Sequence, residues 1–533
     1  MKYFPLVYKQ RNPLSTYFLL LLIACVTINN SAIAQTAKPV LYYTVSMPYP
    51  SSHYYHVELF SSGWSEGTVD FKMPKWMPGY YQIMNYAKAV EHFSAKDNNN
   101  NVPVKNINDN TWQIAVTKNK PFNISYDVKA DRQFVANSYL DSTRGYIIPN
   151  GLFVYIDGHL NTPVSVKILT NKNWSKIATG LEPVAGKLNE FTAPGFDILY
   201  DCPILMGNLE ELPSFKVNGI EHRFIGYKLG DFDRIQFMAN LKKVIEAAVA
   251  VIGDIPYKQY TFIGIGPGQG GIEHLNNTTV SFNGKGLNTA DGMNRTMNFL
   301  AHEYFHHYNV KRIRPFELGP FNYDKENKTN LLWVSEGLSV YYEYLIVKRA
   351  GLISEQSLFN NFESSINAFE NNPGRLYQSL TQASYETWSD GPFGKQGEDA
   401  KKSISYYDKG PVVGLILDFA IRHATQNKKS LDDVMRLLYW QYYKTLQRGF
   451  TDAEFQQACE SLAGISLAHE FEYVYTTKEL YYNTYLAYAG LKIDVQAGPE
   501  KDKRKFFIQP IEKPDELQSA ILQSWLTNQV GAK

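Results

Sequence analysis

The chain has 533 residues, 44% hydrophobic and 20% charged, enough apolar material for two or three packed domains. Its 53 basic and 52 acidic residues leave a formal net charge of +1, and the basic ones are dispersed, which excludes the electrostatic footprint of a nucleic-acid binder. Three cysteines in such a length exclude a disulfide framework.

In residues 1–34, Lys2, Lys9 and Arg11 precede an apolar run from Tyr17 to Ile28, and Ala32, Ile33 and Ala34 supply a small-residue cleavage site before Gln35. This is the pattern of an export signal, and the run is too short to span a bilayer. A second reading takes Leu22, Ile23, Ala24 and Cys25 as a lipoprotein processing site, with Cys25 lipidated. Both place the mature chain outside the cytoplasm, periplasmic or extracellular, with no transmembrane segment after the leader. Cys202 and Cys459 then remain, as buried thiols or as one bridge.

Residues 35–205 read as an antiparallel β domain. VLYYTVSM, YYHVELF, TVDFKM, TWQIAV, FNISYDVKA, GYIIP, LFVYI and VSVKIL are short β-branched or aromatic runs, parted by Gly, Asn, Pro or Ser. Among them MPKWMPGYYQIMNY, Met73 to Tyr86, holds Pro74, Pro78 and Gly79. These shape a rigid turn that either presents Trp76 and Tyr80 or packs them on the domain itself.

Residues 206–485 shift toward helix. Asp233 to Ile252 carries Ile235, Met238, Leu241, Ile245 and Val249 at helical spacing, and Tyr260 to Ile265 reads as a strand. Next comes GPGQGGIEHLNNTTV, in which Gly270 and Gly271 precede Ile272, Glu273 and His274. On its own this is a structural turn.

About thirty residues later His302, Glu303, Tyr304, Phe305 and His306 spell HExxH. The i, i+4 spacing puts both imidazoles on one helical face, a turn apart, where one metal ion can bind both. Glu303 lies beside them, able to take a proton from a metal-bound water. A second segment, Leu331 to Tyr344, holds Glu336 in a Trp-Val-Ser-Glu-Gly frame on a further helix. A catalytic zinc needs three protein ligands and an open fourth position, and Glu336 supplies the third. Pro315, Gly319, Pro320 and the polar run Asp324 to Asn330 favour a loop that brings the two helices side by side. Lys311, Arg312 and Arg314 form a basic cluster that reads as a solvated helix end.

Ser405 to Arg422, SYYDKGPVVGLILDFAIR, opens with Tyr406 and Tyr407 before an apolar helix. SLDDVMRLLYWQYY starts with a Ser430 cap and two acids, and FTDAEFQQACESLAG ends in Gly464. Residues 486–533 read as a strand, Ala487 to Gln496, and a tail with a short helix from Pro514 to Leu526.

HEYFHHYNVKRIRP, a loop, then LLWVSEGLSVYY resembles the glycyl aminopeptidase family of gluzincin zinc peptidases, relatives of the larger zinc aminopeptidases. Met73 to Tyr86 resembles that family's MPxWxPG-Y signature. Gly270 to His274 resembles the G-x-M-E-N element, whose glutamate binds a substrate's free amino group. Tyr407, with Asp408, Lys409 and Gly410, resembles the Y-E-K-G element, whose tyrosine hydrogen-bonds the oxyanion. The resemblance implies an α+β multidomain chain, an N-terminal antiparallel β domain followed by a thermolysin-like, mainly helical zinc peptidase domain. It implies one Zn2+ on His302, His306 and Glu336, catalysis by Glu303 and Tyr407, and substrate binding by Glu273, Gly270 and Gly271. The substrate is then a peptide with a free N-terminus, Gly or Ala first. Members of the family commonly append a PDZ module; the roughly 40 residues after Gly490 are expected to hold none. Alternatives are a zinc endopeptidase in which Glu273 is only structural, an epoxide hydrolase sharing the zinc site, and a non-catalytic surface binding protein with a structural metal.

Overall fold

The computed structural model describes residues 39–98, 100–498, 500 and 503–527, so residues 1–34, expected to form an export signal, and Cys25 among them lie outside the described residues. Short alternating strands build the first half. An eight-stranded sheet holds Val40–Ser46, Tyr54–Ser62, Phe122–Lys129 and Val164–Leu169 at its centre. A four-stranded sheet with Gly67–Lys72 and Thr111–Val116 packs against it. Tyr43, Val57 and Ile124 from the first sheet and Phe71 and Ile114 from the second meet in one core, while their neighbours along each strand face outward. The pairing is antiparallel except between Val40–Ser46 and Val164–Leu169, which run parallel. That departure from expectation arises because the chain returns to the sheet by a long connection rather than a hairpin.

Strand structure continues past Cys202, where the sequence pointed to helix. Ile220–Gly226, Gln259–Gly264 and Asn277–Val280 run parallel, and Gly271–Glu273 adds antiparallel to the last of them as the sheet's edge. The helix Arg234–Ile252 crosses between the first two, capped by Asp233, whose side chain accepts from Gln236 N at 2.9 Å. Its apolar face is Met238, Leu241, Ile245 and Val249, whereas Ile235, in the first turn, is 69% exposed.

Helices follow. Ala290–Phe305 is capped by Thr289, and Trp333–Gly337 forms a π-helical turn that leads into Leu338–Arg349. Glu355–Glu370 and Tyr406–Ala424 complete the layer behind them. Leu431–Leu437 starts at Ser430, whose N–H donates to Asp433 Oδ2 at 2.9 Å, and Asp452–Ala463 ends at Gly464 with φ +70. Ala487 closes a short helix, Tyr482–Ala487, so the following strand is Leu491–Ala497; it pairs with Arg504–Pro510, and a last helix spans Glu516–Thr527. Both described cysteines are free, Cys202 in the β-domain core and Cys459 in the helical one. No helix among the described residues is long and apolar enough to cross a membrane.

A third core joins the halves: Met77, Tyr139 and Tyr146 of the β domain pack with Ile225, Ile263 and Ile272 of the mixed sheet. This seam carries Gly271–Glu273 and the Met77–Tyr81 turn to the same place.

Candidate metal and peptide site

His302 and His306 fall at the end of the helix Ala290–Phe305, His306 being the capping residue itself, still helical at φ −60 and ψ −23. Their i, i+4 relation survives, and the two Nε2 atoms face each other at 2.8 Å. Glu336 Oε2 stands 3.3 Å from His306 Nε2 and 3.7 Å from His302 Nε2. The three ligand atoms lie within 4.8 Å of one another, and all three residues are buried. The π turn supplies one extra residue per turn beside the ligand, a distortion common at functional sites.

The other sides of the ligands are also held. His306 Nδ1 donates to Asn309 O at 2.7 Å, which leaves the Nε2 lone pair free for a cation. Asn309 Nδ2 donates to Val334 O at 2.7 Å, tying the histidine turn to the Glu336 turn. Glu343 Oε2 sits 2.9 Å from His302 Nδ1, a close contact though not a straight hydrogen bond. Glu343 and Asn309 were not found from sequence. The available signal was that Glu343 follows Glu336 by seven residues, two helical turns, on one face.

Two nitrogens and a carboxylate oxygen converging from three sides are the donor set of a catalytic zinc, and three protein ligands leave the fourth position open. Burial alone would raise the Glu336 carboxyl, but His306 and His302 outweigh it and hold the group well below the usual range. Both imidazoles are pushed up against burial, His302 by Glu336 and Glu343, His306 chiefly by Glu336. Glu336 is thus ionised, and the protons that its field and that of Glu343 favour on the two imidazoles are the ones a metal would displace.

Glu303 lies beside the ligands with Oε2 buried and unpartnered. Burial raises its carboxyl to about 7, against the opposing pull of His302 and His306. Gly271 is packed so closely on it that a Cβ there would overlap the carboxyl group. Glu273, two residues on along the edge strand, has Oε1 buried and unpartnered, and its field reaches Glu303, His306 and Tyr81. His274 turns away to Asp201, which also accepts from Leu275 N at 2.6 Å and pairs with Lys311 Nζ at 2.6 Å. Lys311 and Arg312 are therefore buried structural cations rather than a solvated helix end, Arg312 donating to Leu275 O and His307 O at 3.0 and 2.6 Å.

The β domain closes the site. Trp76 is fully buried among Phe321, Tyr323 and Trp388, and its Nε1 donates to Asn322 O at 2.8 Å, so it props the turn instead of facing the cleft. Tyr80 lines the cleft against Phe134. The neighbouring Tyr81 reaches farther: its hydroxyl donates to Glu336 Oε1 at 3.2 Å. Gly79, at φ +92, lies so close to Glu273 that a Cβ would stand 2.8 Å from Oε2. From the helical side Tyr407 donates to Glu336 Oε2 at 2.9 Å, while Tyr406 points away and its hydroxyl meets Thr387 Oγ1 at 3.1 Å. Gly270, Gly271, His302, Glu303 and Tyr407 all line one cleft of 940 Å³.

An M61 peptidase N-terminal domain matches residues 42–208, and the M61 glycyl aminopeptidase domain matches residues 295–413, across HExxH, Glu336 and Tyr407. The chain belongs to the M61 glycyl aminopeptidase family. This M61 chain is accordingly a hydrolase of peptide bonds, of the zinc aminopeptidase kind. Its fold is similar to the crystal structure of an aminopeptidase N family protein from Idiomarina loihiensis, 27% identical over 87% of this chain and 81% of that one, with a TM-score of 0.80. An M1 zinc metallopeptidase from Deinococcus radiodurans, solved with a Tyr-Ser-Ala substrate, shares the fold at 14% identity over 83% of this chain and 94% of its own, TM-score 0.51. No curated protein matches the M61 chain.

Proposed function

We propose that the enzyme removes single residues from peptides with a free N-terminus, Gly or Ala first, with His302, His306 and Glu336 holding one zinc ion. Zinc, when bound, supplies Lewis acidity toward water and the scissile carbonyl. Glu303, poised near neutrality with one oxygen free, accepts a proton from the attacking water and returns it to the departing amine. Tyr407, whose hydroxyl already stands at the ligand group, donates to the developing oxyanion. Glu273 pairs with the substrate ammonium, and the edge strand Gly271–Glu273 offers its unpaired side to the substrate backbone. The leader in residues 1–34 supports an enzyme acting after export.

One observation carries the exopeptidase reading over the endopeptidase one. Gly79 and Tyr81 press the β domain onto Glu273 and Glu336, leaving an unpaired buried carboxylate where a longer chain would have to continue. A panel of aminoacyl p-nitroanilides and their acetylated forms, with chelator and then added zinc, tests it. Free Ala and Gly amides are hydrolysed, acetylated ones are not, chelator stops turnover and zinc restores it. Equal cleavage of acetylated substrates would overturn the reading.

A further inference from the structure

The cleft has a direction. Glu336 faces both histidines, and Glu343, two turns on, faces His302 from the other side, so the two helices run antiparallel along the site. Glu273 lies toward the C-terminal end of the histidine helix, sharing a small space with Val310, Lys311 and Arg314. The rest of the cleft extends the other way, along Arg295 and Asn298 on earlier turns of the histidine helix and Val340 and Tyr344 on later turns of its partner. A peptide with its ammonium at Glu273 and its first carbonyl at Tyr407 must send its second residue into that half.

Two carboxylates line the cleft. Asp408, next to Tyr407, lines the cleft and has no ion pair or side-chain hydrogen bond among the described residues; burial pushes its carboxyl up to about 6. Asp390 is 9% exposed at its side chain, and its Oδ2 has the partly exposed Lys395 Nζ at 3.9 Å, an ion pair too long for a hydrogen bond. Ser389 Oγ occupies its Oδ1 at 2.9 Å, but Oδ2 is buried in the cleft wall without a hydrogen-bond partner. Burying a carboxylate oxygen without a donor is costly, and a ligand cation would relieve it. Ser364, Ser365, Ala368, Gly391 and Gly394 keep this wall low, while Phe393 and Tyr344 offer faces for an aliphatic stem.

We propose that Asp408 and Asp390 form a subsite for the cationic side chain, lysine or arginine, of the residue that follows the scissile bond. The inference rests on the aminopeptidase reading above. It is tested on the full zinc enzyme with Ala-Lys-Ala, Ala-Leu-Ala and Ala-Glu-Ala. The expected kcat/KM is about tenfold higher for the lysine peptide than for the leucine peptide, the worth of one charge-assisted contact, and lowest for the glutamate peptide. In D408N and D390N the lysine-to-leucine ratio falls toward one with zinc content retained. Equal kcat/KM for the three peptides in the unaltered enzyme, a comparison needing no variant, overturns the subsite and leaves the aminopeptidase reading standing. A lysine-to-leucine ratio unchanged in both variants overturns it too. Cleavage of none of the three overturns both readings.

Discussion

Two adjacent tyrosines begin the helix Tyr406–Ala424, and only one has its hydroxyl at the ligand group. Tyr407→Phe deletes a donor that stands 2.9 Å from Glu336 Oε2 and opens on the cleft. If that donor stabilises the oxyanion, its loss costs about 3 to 4 kcal/mol of transition-state stabilisation, so kcat falls roughly 100- to 1000-fold with little change in KM. Tyr406→Phe deletes a hydroxyl that meets only Thr387 Oγ1, at 3.1 Å, in a fully packed position. That variant loses about 1 kcal/mol of stability and keeps its turnover. The assay is steady-state hydrolysis of an alanyl amide by both variants, with zinc content measured by atomic absorption and unfolding followed by calorimetry. A Tyr407→Phe enzyme of normal kcat, or a Tyr406→Phe enzyme with the larger catalytic loss, would refute the assignment.

Glu303→Gln keeps the size of the side chain and removes its basicity, so turnover falls by roughly 100- to 10,000-fold while zinc stays bound. Glu343→Gln weakens the support of His302 Nδ1 without touching the ligand set, and zinc affinity, read by competition with a chromophoric chelator, drops about 10- to 100-fold. Asp141 tests stability against pH far from the site. Burial alone would push its carboxyl up, but Thr143 N, Thr143 Oγ1, Arg144 N and the Tyr139 hydroxyl, at 2.6 to 3.0 Å, bring it down to about 2. A depressed carboxyl stabilises the fold above its unfolded pKa, and that contribution disappears as pH falls from about 4 toward 2. Asp141→Asn therefore unfolds more easily at neutral pH, by about 1 kcal/mol once solvent screening is allowed for, and the gap to the unaltered chain closes near pH 2 in denaturant titrations.

What the sequence disclosed was what local spacing governs. The histidine pair depends on one helical turn, and Glu336 on a ligand type recurring in an apolar helix, so both were legible without a fold. Alternating strands of the β domain carry their own period and were legible too. Ile204–Gly207 and Asn277–Val280 are buried on both faces and lose that alternation, which is why the region after Cys202 read as helical. Lys311 and Arg312 looked solvated because charge usually is. Their burial is decided by Asp201 and by carbonyls of a turn contributed from elsewhere in the chain. Tyr81 rather than Trp76 or Tyr80 meets the ligand group because the turn is wedged by a tryptophan between two domains, a rotation no motif encodes.

The Tyr81 to Glu336 bond joins residues 255 positions apart. The histidines and the glutamate, transplanted into another protein with their helices alone, would lack the phenol and the glycine that finish the chamber. A chamber grafted without residues 79 to 81 would therefore be missing one wall, although every metal ligand had been carried over.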